Sequence, residues 1–191
     1  MYTLKDMKAR QHGFTMIELI VVIVILGILA AVALPRFTNV QRDARIAKLN
    51  AARGAVQAAS AMIHGAALAR GGVPDTVNCV NVGFGANPAN NTTAVCTENG
   101  RVQITNLYPA ATVLGIVNAA GLSTTFFPTG TTVATANTAL QAEGYSVAQA
   151  GGANMNFRVN GGANVAQCAF TYTAAAVGGA PATGVIDTRG C

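Results

Sequence analysis

One acidic side chain, Glu18, stands at the beginning of a long apolar run. From Leu19 to Leu34 no side chain is polar, and Phe14 to Ile17 come directly before the acid. A carboxylate inside an apolar span costs about 2 to 3 kcal/mol at the middle of a bilayer, less near its edge, and usually marks a function. Two interpretations remain open: a membrane anchor that tolerates an acid, or a carboxylate that pairs with a cation inside an assembly.

The four cysteines form the second chemically informative set, and all lie beyond residue 72. They are Cys79, Cys96, Cys168 and Cys191. Four cysteines permit three pairings, and disulfides are expected on the extracytoplasmic side of a membrane. A zinc site is disfavoured because the chain has no Cys-x-x-Cys and His64 is its only histidine beyond residue 13. We expect no metal and no cofactor.

No residue pattern indicates catalysis. The three serines, Ser60, Ser123 and Ser146, lack a nucleophile-elbow context. The chain has neither a phosphate-binding loop nor a dinucleotide-binding glycine motif. Acids beyond residue 71 are scattered singly, which does not suit a pair of carboxylates. The sequence therefore predicts a protein that is not an enzyme.

The apolar run must position Glu18, and it predicts a membrane-spanning helix. Residues 14–34 extend about 31 Å as a helix, which matches a hydrocarbon core of roughly 30 Å. A cleaved signal peptide is one alternative, but its apolar region is usually shorter and is cut after the run. A plain signal anchor is another, with Lys5, Lys8 and Arg10 held in the cytoplasm. That anchor leaves Glu18 unexplained.

Residues 36–70 predict a second, amphipathic half of the same helix. A stripe of apolar residues recurs at three- and four-residue steps: Leu49, Ala52, Val56, Ala59, Ile63 and Ala66. Gly71-Gly72 and Pro74 supply the stop. Much of the net charge of +5 lies in this segment, which raises DNA binding as a possible but unsupported function. Few aromatics and no recognised binding module favour a solvated or subunit-facing helix surface instead.

Beyond residue 72 the composition shifts to Gly, Asn, Thr and Ala, typical of a small head domain. Pro109 suits the first turn of a short helix over residues 109–120. Four strands are predicted at 144–149, 155–160, 166–173 and 183–187, separated by Gly-Gly turns. Asn90-Asn91-Thr92-Thr93 contains two overlapping glycosylation sequons, which we interpret as a surface loop. Together these elements predict an α+β fold, a long helix packed on an antiparallel sheet.

Gly13-Phe14-Thr15-Met16-Ile17-Glu18, followed by the apolar run, resembles the prepilin cleavage and methylation signature. The resemblance continues from Gly27 to Pro35, at the spacings of type IV pilins and type II secretion pseudopilins. It implies cleavage between Gly13 and Phe14 by a prepilin peptidase, and N-methylation of the new terminus. The new amine of one subunit can then meet Glu18 of its neighbour. Gly27 and Pro35 are expected to soften or kink the helix.

The resemblance also implies an organisation and a location. The predicted parts are a leader at 1–13, a transmembrane and filament-core helix at 14–35, its amphipathic half at 36–72, and a pilin head at 73–191. Disulfides Cys79–Cys96 and Cys168–Cys191 are favoured, the second matching the C-terminal disulfide loop of type IV pilins. Each closes a loop of about 20 residues. The leader is expected in the cytoplasm, and the subunit in the inner membrane before it enters an extracellular filament.

The partners that the resemblance implies are copies of the chain itself and the pilus assembly machinery. Three segments resemble mannose-sensitive haemagglutinin-type (MSHA-type) pilins: 33–45, 107–111 and 168–173. The expected function is therefore a structural pilin that serves adhesion or related surface functions. Two alternatives stay open. One is a type II secretion pseudopilin, for which a calcium site is expected near the C-terminal loop, where this chain offers only Asp187 besides carbonyl and hydroxyl oxygens. The other is a membrane-anchored periplasmic binding domain that never polymerises.

Overall fold

A computed structural model of the chain describes residues 14–76, 78–79 and 89–191. Its first element is a 55-residue helix, α1 (Met16–Arg70), which continues without a break through Gly27 and Pro35. It ends where Gly71 and Gly72 take positive φ angles of 56° and 74°, a conformation that favours glycine at a helix C-terminus. By length and composition alone, α1 is long and apolar enough to cross a bilayer.

The chain divides into two compact units between Gln41 and Arg42. In the second unit, the predicted stripe of α1 is buried from Leu49 through Ala52, Val56 and Ala59 to Ile63. The last position of the stripe is Ala67, which is fully buried, whereas Ala66 is only partly so. This apolar stripe supports the sheets of the head.

The first sheet was not predicted. Its strands are β1 (Ala94–Thr97), β2 (Gly100–Thr105) and β3 (Tyr108–Pro109), all antiparallel and in that order. Val95, Val102 and Ile104 pack with Ile63 and Ala67 of α1. The predicted helix start at Pro109 is therefore wrong, because the backbone of Pro109 pairs with Ile104.

Two short helical turns follow, a π-helix at Val113–Val117 and α2 (Asn118–Ala120). They confirm helical structure in the second half of the predicted span 109–120. A further helix, α3 (Val133–Ala142), was not predicted. Its N-cap Thr132 accepts a hydrogen bond from the backbone N–H of Thr135, as N-cap residues do.

The predicted four-stranded antiparallel sheet is confirmed; three of its strands are shorter than predicted, and the strand predicted at 155–160 is shifted by one residue. These are β4 (Tyr145–Gln149), β5 (Asn154–Val159), β6 (Ala169–Thr173) and β7 (Ala182–Thr183), in sequential order. A single-turn 3-10 helix, Val165–Gln167, precedes β6. Phe157 and Phe170 lie opposite each other with ring centroids 5.2 Å apart, and they join Leu49, Ala52 and Val56 of α1 in one core.

Both favoured disulfides are present. Cys79–Cys96 joins the segment after α1 to β1 with a Cα–Cα distance of 5.2 Å, and Cys168–Cys191 joins the start of β6 to residue 191 at 4.8 Å. Both separations lie in the usual range for a disulfide. The chain is thus an α+β protein built as a long helix with small antiparallel sheets.

Candidate processing and assembly site

The described part of the chain begins at Phe14, directly after the predicted cleavage position. Gly13 lies outside the described residues, and Phe14 is 83% exposed. Thr15 caps α1: its side-chain oxygen accepts a hydrogen bond from the backbone N–H of Glu18 at 3.3 Å. Sequence reasoning overlooked this cap, although Thr-x-x-Glu before an apolar run is a known helix-start signal.

Glu18 is exposed in the single chain and lies in the first turn of α1. Ion pairs within the described residues are Arg70–Asp75 and Arg189–Asp187, so Glu18 has no charged partner among them. The helix N-terminus carries a partial positive charge that favours a carboxylate there, by about 0.3 to 1 kcal/mol. Compensation inside an apolar environment requires a full cation from elsewhere.

The apolar half of α1 is uncovered in the single chain. Every large apolar side chain from Phe14 to Leu34 is at least 45% exposed. A continuous apolar surface of this length indicates contact with lipid or with other protein. A Cβ added at Gly27 would meet no atom within 4 Å, so contacts within the chain do not require glycine there. The roles of Gly27 and Pro35 in bending the helix stay predictions.

Basic residues on the second half of α1 bind the head. Arg45 Nε donates to the Cys191 carbonyl oxygen at 3.0 Å, and Arg53 Nε donates to that of Gly184 at 3.2 Å. The Lys48 ammonium donates to the Glu143 carbonyl oxygen and lies 4.5 Å from the centroid of the Tyr145 ring. Three of the cations that raised the question of DNA binding therefore hold the head against α1. The sequence pattern gave no sign of this role, because the acceptors are backbone carbonyls.

Asp187, the acid in the segment that ends at residue 191, forms an ion pair with Arg189. Arg189 donates from Nε and Nη2 to the two oxygens of Asp187, at 3.0 and 2.7 Å. These side-chain hydrogen bonds, with a further one from the Arg189 backbone N–H, lower the pKa of Asp187 to about 2. Among the described residues, no group of three or more His, Cys, Asp and Glu could hold a metal ion.

The two sequons do not form a simple surface loop. Asn91 is fully buried, and its amide nitrogen donates to the Val73 carbonyl oxygen at 2.7 Å and to Asp75 at 2.9 Å. Arg70 donates to the Asn91 side-chain oxygen at 3.3 Å. The surface-loop interpretation of Asn91 is therefore wrong. Its amide helps to fix the segment that follows α1.

Comparison with known proteins identifies the N-terminal motif. The family described as "Prokaryotic N-terminal methylation motif" matches residues 8–34. The type IV narrow pilus major component PilA5 of Thermus thermophilus is 49% identical over 53 residues, which is 28% of this chain and 46% of the relative. The type IV major fimbrial protein FimA of Dichelobacter nodosus is 40% identical over 53 residues, 28% of this chain and 34% of the relative.

A third relative, the fimbrial protein EcpB of Eikenella corrodens, is 43% identical over 65 residues, 34% of this chain and 38% of the relative. The chain thus spans less than half the length of each of these relatives. No solved structure matches the chain. The chain carries the prokaryotic N-terminal methylation motif and is homologous, over part of its length, to subunits of type IV pili.

Proposed function

We propose that this chain is a structural pilin, made as a precursor and polymerised into a type IV surface filament. A prepilin peptidase removes residues 1–13 and the new terminus at Phe14 is N-methylated. The observation that carries the proposal is the methylation motif at residues 8–34, which is followed by an apolar helix that the single chain leaves uncovered.

The need to cover the first half of α1 supports assembly. In the inner membrane, lipid covers these side chains, and in a filament the same helices of other copies replace the lipid. Cleavage after Gly13 leaves a positive amine on Phe14, and Glu18 has no charged partner among the described residues. Pairing the amine of one copy with Glu18 of another neutralises two charges that are each costly in an apolar core. It also disfavours registers that leave either charge unpaired.

The head supports a structural role outside the cytoplasm. The head contains two disulfides, and disulfides persist in oxidising compartments outside the cytoplasm. The leader, with Lys5, Lys8 and Arg10, then lies on the cytoplasmic side by the positive-inside rule. The relatives are named as pilus and fimbrial proteins, which agrees with a structural role and not with an enzyme.

Within this class we favour an MSHA-like pilin that serves adhesion over a type II secretion pseudopilin. The single acid near residue 191, Asp187, is engaged by Arg189 through both oxygens, so it is a poor nucleus for a calcium site, which needs six to eight oxygen ligands. The second alternative, a membrane-anchored domain that stays monomeric, makes no use of Glu18.

Replacing Glu18→Gln tests the assembly mechanism, because the substitution removes the charge and keeps the shape. We expect surface filament yield, measured by shearing and immunoblotting, to fall at least tenfold while the cellular level of the subunit is unchanged. Asp43→Asn is the matched control, since Asp43 is an exposed acid on the same helix, and it should leave yield near wild type. Normal filament yield from Glu18→Gln would refute the pairing mechanism.

Intact-mass measurement of sheared filaments tests the processing step independently. The expected mass is that of residues 14–191 with one added methyl group and two disulfides. A filament subunit that retains residues 1–13 would contradict cleavage after Gly13. A Gly13→Val precursor, which alters only the cleavage position, should accumulate uncut in the membrane.

A further inference from the structure

A small pocket lies on the face of the β1–β2 hairpin that is turned away from α1. It is open to solvent on one side and has a volume of about 190 Å³ between β2 and the loop at residues 126–129. Its apolar lining consists of Ala94, Leu114, Phe126, Phe127 and Pro128, and its polar lining of Thr93, Arg101, Gln103 and Thr129. The volume is below the roughly 300 to 1,000 Å³ of pockets for drug-sized ligands, so it suits a ligand of about one ring.

The aromatic wall is held in place by a side chain from α2. The Asn118 amide nitrogen donates to the Phe127 carbonyl oxygen, and the Phe127 backbone N–H donates to the Asn118 side-chain oxygen, both at 2.9 Å. The Phe126 ring lies over Gly100, where an added Cβ would come within 2.4 Å of a ring carbon. Farther along the loop, the Thr131 N–H and hydroxyl both donate to the Pro128 carbonyl oxygen. The pocket is therefore preformed.

The polar lining residues that the structure describes offer hydrogen-bond donors, and none of them carries a carboxylate. The Thr112 hydroxyl accepts from the Gly115 N–H, so its own hydrogen points to the Gln103 side-chain oxygen at 2.8 Å. Because Thr112 engages the oxygen of the Gln103 amide, the NH₂ group of that amide is left to donate to a ligand. Arg101 also lines the pocket, and its guanidinium lies outside the ion pairs of the described residues. Thr93 is already bonded to Asn90.

This combination selects an anionic ligand that also has an apolar face. A guanidinium binds a carboxylate through two parallel hydrogen bonds, and the half-buried Phe126 ring provides a flat apolar surface beside it. Inorganic phosphate would satisfy Arg101 but leave Phe126 and Pro128 uncovered. A pyranose ring has an apolar C–H face on one side and hydroxyls at its edge, which fit Gln103 and Thr129.

We propose that this pocket binds a sugar that carries a carboxylate, with the carboxylate on Arg101 and the sugar ring against Phe126. The inference goes beyond the filament function and does not depend on assembly. If the filament forms, the pocket would give it a contact for acidic glycans.

The probe is methyl β-glucuronide, and its matched control is methyl β-glucoside, which differs only in the carboxylate. The full chain, in a detergent without a sugar headgroup, is titrated by calorimetry and by saturation-transfer-difference NMR. We expect the glucuronide to bind at least tenfold more tightly than the glucoside. Arg101→Gln should weaken glucuronide binding at least tenfold, and Thr129→Trp, which fills the pocket from an exposed position, should abolish it. Arg42→Gln, the same change at an exposed site on α1, should have no effect.

Several outcomes would overturn the proposal: no glucuronide binding to the wild-type chain, equal affinity for the two sugars, or full binding by Arg101→Gln. Benzoate binding as tightly as the glucuronide would overturn the sugar assignment, because it would show a site for any flat carboxylate. Near-ultraviolet circular dichroism of each variant distinguishes loss of the site from loss of the fold.

Discussion

The amide of Asn137 is predicted to protect the free edge of the four-stranded sheet. Asn137 lies on α3, and its side-chain nitrogen donates to the Val147 carbonyl oxygen at 2.9 Å. Its side-chain oxygen accepts from the Val147 N–H at 2.7 Å. Val147 is the middle residue of β4, the edge strand of the sheet. The amide therefore takes the place of a neighbouring strand, at an edge where another chain could otherwise pair.

Asn137→Ala removes both hydrogen bonds at once. Each contributes about 0.5 to 1.5 kcal/mol net, and a buried backbone group left without a partner costs about 1 to 3 kcal/mol. We expect the free energy of unfolding to fall by about 2 to 4 kcal/mol, which corresponds to at least about 30-fold in the unfolding equilibrium. Asn137→Asp keeps the acceptor but places a carboxylate oxygen against the Val147 carbonyl oxygen in place of the donor, so its cost should be at least that of Asn137→Ala.

Denaturant unfolding of the full chain in detergent, followed by near-ultraviolet circular dichroism, measures this change. Hydrogen exchange of the Val147 amide tests it locally, and exchange should be faster in Asn137→Ala. Thr138→Ala is the control on the same helix, because Thr138 is exposed and makes only a 3.4 Å contact with the Ala134 carbonyl oxygen. If Asn137→Ala unfolds within about 0.5 kcal/mol of that control, the edge-protection argument is wrong.

Two further predictions concern the segment that ends at residue 191. Replacing Cys168 and Cys191 together by serine should destabilise the head by about 3 kcal/mol in the chain-entropy model, since the disulfide links residues 23 apart; an unchanged denaturation midpoint would refute this. The carboxylate of Asp187 should titrate by NMR near its pKa of about 2, and Arg189→Ala should return it towards 3.8. Because the folded-state pKa is lowered, any stabilisation by this pair is present above pH 3.8 and is lost as pH falls towards 2. A titration midpoint near 3.8 for Asp187 in the wild-type chain would contradict the pairing with Arg189.

The elements that sequence reasoning predicted correctly are those with a strong period and a buried face. The α1 stripe from Leu49 to Ile63 repeats at helical spacing, and Phe170 and Tyr172 alternate with threonines in β6. Both patterns exist because one side of the element packs in the core. The number of cysteines alone permits three pairings; the correct one is favoured by the loops of about 20 residues that it closes and, for Cys168–Cys191, by the pilin resemblance.

The elements that were missed carry weaker signals. In β2, Val102 and Ile104 alternate with polar residues, and Asn99-Gly100 before them is a turn signal. The surrounding stretch is rich in Asn and Thr, which makes so short an alternation hard to recognise. Helix α3 contains Thr and Asn, which favour helix poorly, and buries only Ala136 and Leu140. Its contact with β4 through Asn137 depends on how two elements meet in space, which a one-dimensional period does not encode.

The same limit applies to the charge of α1. An excess of basic residues over acids suggested partners outside the chain, because composition counts only side-chain acids as counter-charges. Arg45, Lys48 and Arg53 instead donate to backbone carbonyls of the head, and carbonyl oxygens contribute no formal charge to any sum. A net charge of +5 is thus compatible with cations that are already engaged, and it gives little support to nucleic-acid binding. Glu18 is the opposite case: within the described residues it has no counter-charge, and the partner proposed for it is the Phe14 amine of another copy of the chain.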